Sequence, residues 1–152
     1  MQLKETLEYL KKQKIIVEIY GLGYVGFPLA VKLAKEGITI HGIDVNDNRI
    51  QRLKKNELLD SEINLKDEFI KSVTNGSLEL KKIPDKLDTS KIGIICVPTP
   101  IPNEKIQSDI YVRSAVETFL STSNPGDVII LESSIEVGTT EKMIELIESK
   151  GL

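Results

Sequence analysis

An α/β architecture, a doubly wound parallel sheet with helices on both faces, is what this 152-residue sequence predicts. Three observations carry the prediction. Short apolar runs alternate with stretches of helical periodicity, the first run turns on glycines straight into a helix, and the second run ends in an acidic residue. Alternating β and α segments favour a parallel sheet, because parallel strands need a crossover and the usual crossover is a helix.

The first run holds Ile15, Ile16, Val17 and Ile19, and Gly21-Leu-Gly23-Tyr-Val-Gly26 follows it directly. A helical pattern then runs through Leu29, Ala30, Leu33 and Ala34. A strand that turns into a helix in this way aims free N–H groups and the positive dipole end at one point, where a pyrophosphate can sit. Gly21 allows the tight turn, Gly23 lets phosphates approach the backbone without a Cβ in the way, and Gly26 lets helix and strand pack closely.

The second run, Ile38-Thr-Ile-His-Gly-Ile43, ends in Asp44. That is roughly 20 residues past the glycines, where a Rossmann-type dinucleotide fold places the carboxylate that bonds the adenosine ribose hydroxyls. The bland alternative is a β-α-β unit that binds nothing. Asp44 weighs toward NAD over NADP, because it repels a 2′-phosphate. Arg49 pulls both ways, since it suits such a phosphate or the ribose of NAD.

In chain order, Leu3, Leu7 and Leu10 predict a short amphipathic helix over residues 3–13, a helical extension ahead of the dinucleotide domain at 14–152. Strand one covers 15–20, with Glu18 as its anomaly. A carboxylate in a central parallel strand needs a partner near the sheet edge, or the strand is less buried than its position implies. The helix from Tyr24 to Glu36 has Pro28 in its first turn and stops on Gly37. His41 falls on the strand face opposite Ile40 and reads as packed rather than catalytic. Asn46 is placed to cap a helix over 47–55.

The charged stretch 56–76 reads as a loop and then a peripheral helix, with Leu65, Phe69 and Val73 at helical spacing. A short third strand follows at 77–80, a loop at 84–90, and a buried fourth strand at 91–97 with Cys96 inside it as a small core residue. Pro98, Pro100 and Pro102 stiffen the loop at its carboxyl end, where open parallel sheets bind ligands. Asp109 is expected to cap a helix through Leu120. Asn124-Pro-Gly-Asp127 forms a turn, 128–131 a fifth strand, and 140–150 a last helix ending on Gly151.

Composition sets the outer bounds. Hydrophobic residues make up 40% without a long unbroken apolar stretch, so a soluble protein of about one domain with no membrane span is expected. The charged N-terminus lacks the apolar core of a secretory signal, and a cytoplasmic location follows. The lone Cys96 and lone His41 rule out an internal disulfide, a cysteine cluster and the usual metal ligand sets. A net charge of −3 does not suit a nucleic-acid binder.

Together, Gly21-Leu-Gly-Tyr-Val-Gly-Phe-Pro-Leu-Ala30, Gly42-Ile-Asp-Val-Asn46, Cys96-Val-Pro-Thr-Pro100 and Glu132-Ser-Ser with Gly138-Thr-Thr140 resemble the N-terminal NAD-binding domain of the UDP-glucose/GDP-mannose dehydrogenase family. The branch that acts on UDP-N-acetylhexosamines is the most similar in look. The resemblance implies a cytoplasmic enzyme of polysaccharide biosynthesis that oxidises the C6 hydroxyl of a UDP-sugar to a uronate with two NAD, as a homodimer at full length. It places the amides of Tyr24 and Val25 on the pyrophosphate, Asp44 and Arg49 on the adenosine ribose, Val97 and Thr99 along the cofactor, and Ser134 near the nicotinamide. Ser134 stands where the family usually has Thr, and Val137 where it usually has Pro.

The family's nucleophilic cysteine, its oxyanion-stabilising Lys and Asn, and most sugar-nucleotide contacts lie after this domain, and Cys96 does not match that cysteine's motif. The chain is therefore expected to be a cofactor domain that binds NAD without turnover. Two other readings stay open: a stand-alone NAD-sensing module, and another β-hydroxyacid-type dehydrogenase with a similar glycine loop.

Overall fold

The computed structural model describes residues 15–101 and 108–151. The helix expected over 3–13, and Pro102, lie outside the described residues. Five strands form one parallel sheet: β1 (Ile16–Tyr20), β2 (Thr39–Ile43), β3 (Leu78–Lys81), β4 (Lys91–Ile95) and β5 (Val128–Leu131), in the order β3-β2-β1-β4-β5. Helices α1 (Gly26–Lys35), α2 (Asp47–Lys54) and α3 (Lys66–Thr74) precede β4, and α4 (Ile110–Leu120) and α5 (Thr139–Ser149) follow it. A 3₁₀ helix, Asp60–Leu65, leads into α3.

The core divides by sheet face, as a doubly wound sheet requires. Val17, Ile19 and Ile40 pack against Phe27, Ala30, Val31 and Ala34 of α1, with Ile50 and Leu53 of α2 and Phe69 of α3. On the other face Tyr20, Ile43 and Ile95 meet Val112, Val116 and Phe119 of α4 and Met143 of α5. Alternation along each strand dictates this split, since neighbouring side chains point to opposite faces.

Three local expectations are corrected, and the fifth strand adds a finding of its own. Helix α3 is not peripheral: Phe69 is fully buried against Phe27, with ring centroids 5.2 Å apart, while Val73 remains exposed. The inward stripe passes through Ser72 instead. Cys96 lies one residue past β4, although it is still buried and its amide bonds the Tyr20 carbonyl at 2.8 Å. Asp109 precedes α4 without a side-chain capping bond, and lies 3.6 Å from Lys142 of α5. β5 exposes Val128 and Ile130 and is an edge strand among the described residues.

Glu18 is fully buried in the middle of the sheet and has its partner on the neighbouring strand. Lys91, also fully buried, reaches its Oε2 at 3.1 Å, and the Tyr20 hydroxyl donates to the same oxygen at 2.9 Å. The ammonium also bonds Thr122 Oγ1 at 2.6 Å and sits 4.6 Å above the Phe119 ring. Phe119 fits there because Gly93 has no side chain: a Cβ at that position would lie 2.5 Å from the ring. Of the two possibilities raised by the sequence, pairing is realised and loose burial is not.

Candidate functional site

The strand order reverses between β1 and β4, and a crevice of about 750 Å³ opens there above the carboxyl ends of the strands. This is the topological switch point at which open parallel sheets bind ligands. Its walls come from the segments following three strands: Gly21, Gly23, Tyr24 and Val25 after β1, Asp44 to Asn46 after β2, and Cys96, Val97, Pro98 and Pro100 after β4. Tyr111, Ser114, Ala115 and Thr118 of α4 close the remaining side.

The three glycines of the loop differ in what surrounds them. Gly21 has φ +92°, a conformation that side chains rarely adopt, and a Cβ on it would meet the Cys96 carbonyl oxygen at 2.6 Å. A Cβ on Gly23 would meet nothing within 4 Å, so this residue leaves open space on the crevice side. Gly26 lies behind the crevice, where a Cβ would come within 1.9 Å of the Gly21 carbonyl oxygen. Helix α1 begins at Gly26 with no side-chain cap and no acidic residue in its first turn. Its positive end is therefore not neutralised from within.

Asp44 sits at the crevice wall. Its Oδ2 accepts from the Leu22 amide at 2.8 Å and its Oδ1 from the Asn46 amide at 2.8 Å. Each oxygen keeps acceptor capacity for a hydroxyl. Asp44 is the one charged side chain in the crevice lining among the described residues, and no Lys or Arg accompanies it there. Asn46 caps α2 as expected, accepting from the Arg49 amide at 3.3 Å.

Of the residues singled out from the sequence, the structure brings Gly21, Gly23, Tyr24, Val25, Asp44 and Val97 together in the crevice lining. Thr99 and Ser134 stand on the loops that follow β4 and β5, outside the lining. Arg49 is outside it too. Its Nε donates to the Leu22 carbonyl at 2.9 Å, an Nη2 contact pairs it with Glu62, and its guanidinium lies 5.1 Å over the Phe27 ring.

The loops after β4 and β5 are tied together by Ser133, whose hydroxyl lies 2.8 Å from the Val97 carbonyl oxygen and whose amide donates to the Ile95 carbonyl at 3.0 Å. Burial, followed by the charge of Glu132, pushes the Cys96 thiol up to about 12, which leaves it un-ionised and poorly nucleophilic near neutral pH.

Sequence reasoning passed over the α4 wall, Val45 and Glu62. A signal for α4 existed, because Tyr111, Ser114, Ala115 and Thr118 recur at helical spacing beside the core stripe of Val112, Val116 and Phe119. Glu62 gave none, as it stands in a run of charged residues that reads as solvated.

Among the described residues no helix is long and apolar enough to cross a membrane, and no group of His, Cys, Asp or Glu is arranged to hold a metal. Residues 9–151 match the family described as UDP-glucose/GDP-mannose dehydrogenase family, NAD binding domain. The chain is similar to the UDP-N-acetyl-D-mannosamine dehydrogenase of Methanococcus aeolicus, at 37% identity over 139 residues that cover 88% of this chain and 31% of the relative. It is similar to the enzyme of the same name from Methanocaldococcus jannaschii, at 34% identity over 81% of this chain and 29% of the relative. Its fold is similar to that of the UDP-N-acetyl-mannosamine dehydrogenase of Staphylococcus aureus, with a TM-score of 0.81 and 28% identity over 90% of this chain and 33% of that one. The chain thus spans about a third of the length of these relatives.

Proposed function

The chain belongs to the UDP-glucose/GDP-mannose dehydrogenase family, as its NAD-binding domain, and on that premise we propose that it holds NAD for the C6 oxidation of a UDP-sugar to a uronate. The substrate class is a UDP-N-acetylhexosamine, with the N-acetylmannosamine form suggested by the names of the relatives. Taking a hydroxyl to a carboxylate removes four electrons and adds one water oxygen, so the reaction consumes two NAD⁺.

The observation that carries the reading is the crevice at the switch point. An uncapped helix end, a glycine floor open at Gly23 and a wall carboxylate at Asp44 together match the pyrophosphate and ribose of a dinucleotide. When bound, the dinucleotide supplies the hydride acceptor. The chain's own part is to bind and orient it. The amides of Tyr24 and Val25 face the pyrophosphate, Asp44 takes the ribose hydroxyls, Val97 and Thr99 run along the cofactor, and Ser134 stands toward the nicotinamide. Asp44, with no cation beside it in the lining among the described residues, disfavours a 2′-phosphate. Cys96 is given no nucleophilic role, in keeping with its buried, high-pKa thiol.

Calorimetric titration of the chain with NAD⁺ and with NADP⁺ tests the proposal. Saturable binding of NAD⁺, tighter than that of NADP⁺, is expected; binding of neither, or a preference for NADP⁺, refutes it. The proposal extends to a cytoplasmic location, a place in polysaccharide biosynthesis and a homodimer at full length, all resting on the family resemblance. Sedimentation of the full-length protein checks the last of these.

A further inference from the structure

On the α1 side of the sheet the cover thins from the centre toward β5. Val17 and Ile19 of β1 are 4% and 0% exposed, Ile92 and Ile94 of β4 are half-buried, and Val128 and Ile130 of β5 are 49% and 46% exposed. These side chains share one face, since Val17 and Ile19 lie in register with Ile92 and Ile94, and those in turn with Val128 and Ile130. The opposite face of β4 and β5 is closed, with Ile95, Ile129 and Leu131 packed in the cluster under α4 and α5.

Helix α1 forms one bank of the open region. Its Lys35 pairs with Glu68 and its Phe27 meets Phe69, so that flank faces α3. Leu29 and Leu33, one turn apart, fall on the other flank and are only partly buried. The result is an apolar groove with Ile92, Ile94, Val128 and Ile130 as its floor and Leu29 and Leu33 as its wall. Helices pack about 9 Å apart and neighbouring strands lie about 4.8 Å apart, so one helix laid beside α1 covers both β4 and β5.

The chain carries a segment of matching length and pattern that joins the sheet beside this groove. Leu3, Leu7 and Leu10 recur at helical spacing, with Lys4, Glu5, Glu8, Lys11 and Lys12 between them. Eleven residues of helix over 3–13 run about 16 Å, which is about the length of a five-residue strand such as β4. The segment connects to β1 through Lys14 and Ile15, and the Ile16 amide bonds the Ser90 carbonyl at the foot of β4. The far end of the opposite face does not suit a leucine stripe, because His41, Glu79 and Lys81 stand together there as a charged surface.

We infer that residues 3–13 dock in this groove through Leu3, Leu7 and Leu10 and complete the cover of β4 and β5 on the α1 side. The inference goes beyond the NAD reading and does not depend on what the crevice binds.

Methyl-labelled NMR of the unchanged chain tests it. Nuclear Overhauser contacts within one molecule are expected from the Leu7 and Leu10 methyls to those of Val128 and Ile130. The L7E/L10E variant is expected to lose them and to shift the Val128 and Ile130 methyl signals, while Ile19 and Ile40, fully buried in the core, keep theirs and show that the variant is folded. The I130E variant, which alters the floor, is expected to shift Leu7 and Leu10 in return. Val128 and Ile130 signals that ignore L7E/L10E overturn the inference, as do leucine contacts to another part of the sheet. Contacts seen only between labelled and unlabelled chains in a mixed sample assign the groove to a second copy and overturn it as well.

Discussion

Replacing Lys91 with Met leaves the Glu18 carboxylate fully buried without its cation. In the native chain Lys91 Nζ lies 3.1 Å from Glu18 Oε2 and 2.6 Å from Thr122 Oγ1, and both ionic side chains are 0% exposed. Glu18 Oε1 already has no partner, so only the Tyr20 hydroxyl on Oε2 is left to stabilise the charge. Removing one member of a buried pair costs about 3–5 kcal/mol, a large share of the roughly 5–15 kcal/mol that holds a domain folded. For a chain of this length that corresponds to a drop of about 10 °C in Tm. The companion variant is E18Q/K91M, in which no charge is buried and the Gln carbonyl still accepts from the Tyr20 hydroxyl. It is expected to recover most of the loss, leaving about 1–2 kcal/mol for imperfectly paired polar atoms. Urea unfolding followed by circular dichroism at pH 7 gives both numbers. If K91M costs under about 1 kcal/mol, or if the double variant is no better than K91M, the account of Glu18 as a carboxylate stabilised by Lys91 is wrong.

The glycines separate folding from binding. Gly23→Ala is expected to keep the native unfolding midpoint, since its Cβ meets nothing within 4 Å, yet to weaken NAD⁺ binding at least tenfold by calorimetry; Gly26→Ala, whose Cβ would sit 1.9 Å from the Gly21 carbonyl oxygen, is expected to lower the midpoint itself. An Ala at position 23 that binds NAD⁺ normally contradicts the crevice floor. His41 is held below its ordinary value by burial first and by Lys81 second, against the opposing pull of Glu79, Glu18 and Asp85. As pH falls through about 6.5 the unfolded chain takes up that proton before the folded one does, so the imidazole's contribution, complete above that pH, is lost on acidification. Urea midpoints at pH 7 and pH 5 should therefore converge for His41→Gln relative to the unchanged chain, and an identical acid slope in both refutes the assignment. At the alkaline end the Tyr20 phenol is raised by burial, then by the charge of Glu18 and its hydrogen bond to it. Stability is accordingly lost above about pH 10, where the unfolded tyrosine ionises first, and Tyr20→Phe should flatten that part of the curve.

The glycine loop was legible because its demands are local. A positive φ at Gly21 and a helix starting at Gly26 are settled within a few residues of chain, and the spacing to Asp44 follows from one strand-helix-strand unit. Helix stops read equally well: Gly37 has φ 84° where a left-handed residue was called for. Phe69 and Val73 mark the limit of that method. Both fit one helical stripe, but only the first finds a ring, Phe27, to pack on, and which of them turns inward depends on where α1 lies.

What the sequence alone determined is therefore the alternation of strands and helices, the glycine turn and the acid at the end of β2, since each depends on dihedral preferences and short-range periodicity. What the tertiary structure decided are the pairings between distant segments: Lys91 beneath Glu18, Glu62 behind Arg49, and the α4 wall of the crevice. Strand order made those choices. Placing β4 next to β1 puts Lys91 in register with Ile16, two residues along the strand from Glu18 on the same face, so a carboxylate that looks misplaced in one dimension has its counter-ion beside it in three.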